Sequence, residues 1–133
     1  MDENREKYLL SSLLKNKKFI LIYRYSDISC NACVEVELKH LHSIYKDRDD
    51  AIILCSYHIE RDYYVFKRLN QIKLPTYKID HNVFDFDMKQ NNDAYYFLLH
   101  PDMTVTDIFV PEKMTPDASI KYLLDISNKL NRQ

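Results

Sequence analysis

Two cysteines two residues apart, Cys30-Asn31-Ala32-Cys33, are the side chains of this chain best suited to chemistry. The apolar run Phe19-Ile20-Leu21-Ile22-Tyr23 comes before them, and Val34, Leu38, Leu41 and Tyr45 follow at helical spacing. The pair therefore falls where a buried strand gives way to the first turn of a helix. A thiol at that point sits among unpaired backbone N–H groups at the positive end of the helix dipole, which favours thiolate over thiol. The two-residue spacer lets both sulfurs meet across one turn, so that one attacks a disulfide and the other resolves the adduct. In that scheme Cys30, nearer the helix start and the surface, is the nucleophile, and Cys33 resolves. A structural disulfide or an unreactive thiol pair is the bland alternative. Zinc would need a second ligand pair at suitable spacing, and none is visible.

Other candidates yield plainer readings. Cys55 lies inside Ile52-Ile53-Leu54-Cys55, where a small apolar residue suits a buried strand. His40 and His42, two apart on a helix, point to different faces and read as solvated, while His58 and His81 have no partner pattern. Asp80, Asp85 and Asp87 lack the glycine of a calcium loop and read as loop and turn acids. The 11 tyrosines, Tyr23, Tyr64, Tyr95 and Tyr96 among them, are expected to cover sheet edges with their hydroxyls at the rim. No metal site is expected.

The elements that must position the cysteines follow from periodicity. Tyr8, Leu9, Leu10, Leu13 and Leu14 make an amphipathic first helix ending in Lys15-Asn16-Lys17-Lys18. Strand, helix and strand then run through Phe19–Tyr23, the Leu38 stripe and Ala51–Cys55. A third helix, marked by Val65, Phe66, Leu69 and Ile72, stops before Pro75. That β-α-β-α order belongs to a parallel sheet with helices packed on it. Tyr95–Leu99 and Thr104–Val110 form an antiparallel hairpin about Pro101-Asp102. Thr115 caps a last helix with Pro116 at its first position and Ile120, Leu123 and Leu124 on its buried face. The sum is an α/β domain, a mixed sheet of four or five strands flanked by about four helices, over residues 1–133.

Composition narrows the function. With 133 residues, 46% hydrophobic, the chain is long enough for one core. A formal charge of −1 argues against nucleic acid or a polybasic membrane contact. Glycine is absent, which removes every Gly-rich phosphate loop. No apolar run approaches the ~20 residues of a membrane helix, and the opening Met1-Asp2-Glu3-Asn4-Arg5-Glu6 has no signal-peptide core.

Phe19 to Tyr25 leading into Ser29-Cys30-Asn31-Ala32-Cys33, together with Tyr95-Tyr96-Phe97-Leu98-Leu99-His100-Pro101-Asp102, resembles the thioredoxin superfamily over residues 17–130. The likeness is to its envelope-type thiol-disulfide oxidoreductases, whose "PTTFLIDPDG" strand and turn the second stretch is similar to. The resemblance implies a thioredoxin-like fold, a CxxC disulfide cycled against protein thiols and disulfides, an upstream redox donor, no cofactor besides that disulfide, and a monomer. It also favours an extracytoplasmic location, periplasmic or envelope-anchored, over the cytoplasmic alternative, since a CxxC is reducible in the cytosol and maintained on the envelope side.

The family's cis-proline loop, facing the CxxC, immediately precedes that strand. Counting back from the hairpin puts Asp93-Ala94 there, with an ordinary trans peptide, and Lys73–Asp80 resembles the family's extra "FPVLLD" segment. Pro75-Thr76 is the competing register. The family's Trp before the first cysteine is here Ser29, and its buried carboxylate six residues before that cysteine is Arg24. Arg24, if it points toward the sulfurs, would favour a thiolate by charge attraction. Two functions compete: a thiol-disulfide oxidoreductase, and a redox-inactive thioredoxin-like binding module with structural cysteines. A peroxide-reducing relative is weaker, since no Thr-x-x-Cys ends at Cys30.

Overall fold

The computed structural model describes residues 10–14, 19–89 and 93–132. It contains β1 (Ile20–Ser26), α1 (Asn31–Tyr45), β2 (Ala51–Ser56), α2 (Glu60–Leu69), β3 (Thr76–Lys78), α3 (Asp85–Lys89), β4 (Tyr95–Leu99), β5 (Val105–Phe109) and α4 (Pro116–Asn131). The strands form one sheet in the order β3-β2-β1-β4-β5. β1 is central, parallel to β2 and antiparallel to β4. β3 adds parallel to β2, and β5 antiparallel to β4. Of the expected first helix, residues 10–13 are helical and Leu10 and Leu14 are buried. Tyr8, Leu9 and Lys15–Lys18 lie outside the described residues.

All seven residues of β1 are buried, as a continuous apolar run requires of a strand covered on both faces. Strand alternation sends Leu21, Tyr23 and Tyr25 to one face and Ile20 and Ile22 to the other. Parallel crossovers are right-handed, and two taken in the same direction across the sheet put α1 and α2 on one face. There Val34, Leu38, Leu41 and Tyr45 of α1 meet Tyr63 of α2 and Leu123, Ile126 and Leu130 of α4. The connection from β3 to β4 must cross β2 and β1, and it does so beneath the other face, where Phe84 and Phe86 pack with Leu10, Leu14 and Ile79.

Several sequence expectations need correction. The buried residue of α2 is Tyr63, whereas Leu69 is exposed. In α4 the inward face is Ser119, Leu123, Ile126 and Leu130, and Leu124 is exposed. Thr115 holds the N-cap position but its hydroxyl makes no cap bond. Tyr23, Tyr95 and Tyr96 are not rim residues: all three lie in the core, because the sheet is covered on both sides. His42 is half-buried, and its Nε2 accepts the Lys73 amide at 3.2 Å.

Without glycine, left-handed backbone positions fall on Gln71, Asn82, Met103 and Asp107. Asn82 and Asp107 suit that conformation, while Gln71 and Met103 adopt it against a Cβ penalty. In the β4–β5 turn, the Asp102 carboxylate accepts both the amide (3.0 Å) and the hydroxyl (2.6 Å) of Thr104. These bonds hold a turn for which glycine would be the usual residue.

Candidate active site

The C-terminal end of β1 delivers the chain to Cys30 through a short turn, in which the Ser29 Oγ accepts the Ser26 amide at 3.1 Å. Cys30 is the N-cap of α1, in extended conformation, and its Sγ accepts the Cys33 amide at 3.3 Å. The two cysteines are disulfide-bonded, with Cα atoms 5.3 Å apart. Cys30 is exposed and Cys33 half-buried, so the order of access is the one their positions on the helix predict. The first turn of α1 carries no acidic residue, which leaves the positive end of its dipole uncompensated.

Beside Cys33 opens a groove of about 340 Å³ lined by Ala32, Val36, Pro111 and Pro116. Its floor includes Glu37, one turn beyond Cys33 on α1 and buried. The Glu37 Oε1 accepts the Tyr96 hydroxyl at 2.7 Å and Oε2 the Ser119 hydroxyl at 2.9 Å. The Tyr23 hydroxyl is buried with no hydrogen-bond partner among the described residues. Burial, then the Glu37 charge, pushes the Tyr23 phenol well above its ordinary range. Sequence reasoning passed over Glu37. Its place in the Val34–Leu38–Leu41 stripe of α1 was the available signal, for a carboxylate there must find internal donors.

Arg24 does something different from the expectation. β1 alternation points it to the face opposite α1, where it is buried and ion-paired with Asp87 of α3. Its Nε lies 3.2 Å from Oδ1 and its terminal nitrogen 3.2 Å from Oδ2. The Tyr95 hydroxyl donates to the same carboxylate at 2.6 Å, and the guanidinium also reaches the carbonyls of Tyr25, Leu54 and Asp80. Arg24 thus clamps the β3–β4 crossover rather than facing the thiols, and Asp87 is a core ion-pair partner rather than a turn acid.

Ala94 immediately precedes β4, whose first residue, Tyr95, pairs with Arg24. That register sets Ala94 beside the end of β1 that leads to Cys30, half-buried against the α1 side of the core. Asp93 is exposed beside it, and the described residues contain no cis peptide. Pro75 lies elsewhere. Its carbonyl accepts the Ile53 amide at 2.9 Å just before β3, toward the end of the sheet from which β1 starts. Cys55 is buried, and burial pushes its thiol up to about 12, which disfavours the thiolate. His58 and His81, without a pattern in sequence, stack on one another with ring centroids 4.0 Å apart.

No protein-family model matches the chain, and no curated protein matches it. Solved structures do. A thiol:disulfide interchange protein from Bacteroides sp. aligns with TM-score 0.63 at 12% identity, over 92% of this chain and 78% of that one. The reduced N-terminal domain of PilB from N. meningitidis aligns with TM-score 0.55 at 20% identity, over 88% and 86%. A putative thiol-disulfide oxidoreductase from Bacteroides vulgatus aligns with TM-score 0.55 at 17% identity, over 86% and 78%. The chain has a thioredoxin-like fold, a mixed five-stranded sheet flanked by helices, with a CxxC pair at the start of α1.

Proposed function

We propose that this protein is a thiol-disulfide oxidoreductase that cycles Cys30 and Cys33 against protein thiols and disulfides. The observation carrying this reading is an exposed Cys30 capping α1, joined to a less accessible Cys33 one turn on, in a thioredoxin-like frame. In the reducing direction the Cys30 thiolate attacks one sulfur of a substrate disulfide. That S–S bond breaks, the second substrate sulfur leaves as a thiolate and takes a proton, and a mixed disulfide remains. Cys33 then loses its proton and attacks the Cys30 sulfur, expelling the other substrate thiol and closing the Cys30–Cys33 disulfide. Two electrons have passed to the substrate, and a donor dithiol restores the pair by the same exchange. The groove beside Cys33 and the Asp93-Ala94 segment at the end of β1 supply the surface on which substrate backbone would lie.

The reading extends to an extracytoplasmic protein of a bacterial envelope, working as a monomer with an upstream thiol donor. Support comes from neighbours described as a secreted Mycobacterium tuberculosis disulfide oxidoreductase and an exposed lipoprotein thioredoxin of Streptococcus pneumoniae. No helix among the described residues is long and apolar enough to cross a membrane.

Ala94, where a loop proline would stand, favours a second reading: a redox-inactive binding module with structural cysteines. One set of measurements separates the two. In the oxidoreductase, Cys30→Ser abolishes disulfide reduction, while Cys33→Ser traps substrates as mixed disulfides because attack survives and resolution is lost. Reduced Cys30 then reacts with iodoacetamide near neutral pH faster than a free thiol of pKa ~8.5. If Cys30 is no faster and Cys33→Ser traps nothing, the binding module is correct. A midpoint potential near about −270 mV marks a reductant and near about −120 mV an oxidant.

A further inference from the structure

Three side chains that no sequence spacing connects meet at the C-terminal edge of the parallel half of the sheet. Asp27 follows β1, His58 follows β2 and His81 follows β3. The parallel register brings them together, since Ser26 pairs with Ser56 and Cys55 with Lys78, so each strand releases its next residues at one edge. In open α/β sheets that edge is where ligands bind. The Asp27 Oδ2 lies 2.8 Å from His58 Nδ1 and accepts the His58 amide at 2.9 Å, while Oδ1 lies 3.0 Å from His81 Nε2. The imidazoles are stacked at 24°, and one donor atom from each of the three residues falls within 4.8 Å of the others.

We infer that Asp27, His58 and His81 form a binding site for a divalent transition-metal ion of the zinc class. Four-coordinate zinc has bonds of about 2.0–2.2 Å, which places its ligand atoms roughly 3.3–3.6 Å apart. The three donors need to shift by about an ångström or less to reach that spacing. Two imidazoles with one carboxylate suit zinc, cobalt, nickel or copper, and disfavour magnesium and calcium, which take all-oxygen shells. The Asp27 and His81 side chains are largely covered and that of His58 is open, which leaves an entry path and a coordination position for water or a ligand. Metal binding requires the ring nitrogens that face the carboxylate to be unprotonated, so any proton they carry passes to the solvent or to the other ring nitrogen.

The test uses the full chain with its Cys30–Cys33 disulfide closed and Cys55 buried, so that no thiol competes for the ion. Its outcome is therefore separate from that of the thiol chemistry. Calorimetric titration with zinc is expected to give one equivalent bound, and added zinc to raise the thermal midpoint, as a ligand of the native state does. Magnesium and calcium leave both unchanged. Asp27→Asn, His58→Ala and His81→Ala each weaken zinc binding by about tenfold or more, whereas His100→Ala, in the β4–β5 turn, does not. Because a variant could fail to fold, the unaltered chain carries a second readout: ring resonances of His58 and His81 move with zinc, and those of His40, His42 and His100 stay. No binding, binding unaffected by any one of the three substitutions, or zinc-induced shifts at the other histidines overturns the assignment.

Discussion

Glu37 and Cys55 show how much a single residue depends on what covers it. Glu37 accepts two buried hydroxyls from β4 and α4, so Glu37→Ala strips Tyr96 and Ser119 of their acceptor inside the core. Leaving buried donors unpaired costs about 1–3 kcal/mol each. Glu37→Ala is therefore expected to lower the unfolding free energy by roughly 2–4 kcal/mol, read from the midpoint of a urea titration. A loss under about half a kilocalorie would show that the network contributes nothing. Cys55 makes the opposite case. With its thiol pushed up to about 12 by burial, it stays unlabelled by iodoacetamide in the folded protein and reacts once urea unfolds the chain.

Among the elements, α2 ends in a way that a glycine-free sequence makes costly. The Ile72 amide reaches the Lys67 carbonyl and the Gln71 amide the Arg68 carbonyl, each at 3.2 Å, with Gln71 left-handed at φ 50. This is a Schellman ending with glutamine at the position glycine ordinarily takes. Gln71→Gly relieves about 1–2 kcal/mol of local clash and gives back part of it as unfolded-chain entropy. The variant is expected to gain about half to one kcal/mol, measured by thermal or urea unfolding. The crossover helix α3 depends on charge instead. Arg24→Leu leaves Asp87 buried with, among the described residues, only Tyr95 and the Phe84 amide as donors, and breaking one side of a buried pair costs about 3–5 kcal/mol. Disulfide exchange at Cys30 should survive in whatever fraction stays folded, because Arg24 lies on the opposite face.

The whole molecule carries its tyrosines as an alkaline trigger. Burial raises the phenols of Tyr23, Tyr25, Tyr95 and Tyr96 above their ordinary value. A raised folded pKa means that the neutral form is the one the fold holds. The stability this confers is complete below the unfolded value of about 10 and is lost as pH climbs above it. Each such group removes about 1.4 kcal/mol per pH unit in that window, so four remove about 5–6. Against a typical total of about 5–15 kcal/mol, cooperative unfolding is expected between roughly pH 10.5 and 12. The phenolate absorbance of these four buried tyrosines should rise in one step with the loss of circular dichroism, and ionisation of more than the exposed tyrosines, such as Tyr64, before unfolding would contradict it. At the acid end the carboxylates of the half-buried Asp27 and the exposed Asp107 are depressed by their hydrogen-bond partners, which outweigh partial desolvation, so their contribution is full above about pH 4 and fades below it.

Local pattern by itself determined the β-α-β-α order, the terminal hairpin, the start of α1 at the cysteines and the core role of Cys55. Periodicity, a cap position and apolar runs all report on a segment's own neighbours. Which side of the sheet a residue faces, and what crosses above it, required the tertiary structure. Tyr23 and Tyr96 read as rim residues because a phenol tolerates either place, and only the packing of α1 and α4 over their face of the sheet buries them. Arg24 was assigned by its distance from Cys30, whereas strand alternation and the path of the β3–β4 crossover turn it to Asp87. His58 is separated from Asp27 by α1 and β2, and His81 by α2 and β3 as well, and parallel register alone brings the three together. Contacts made across strand ends leave no periodic trace in a sequence, because they depend on how three loops share one edge of the sheet.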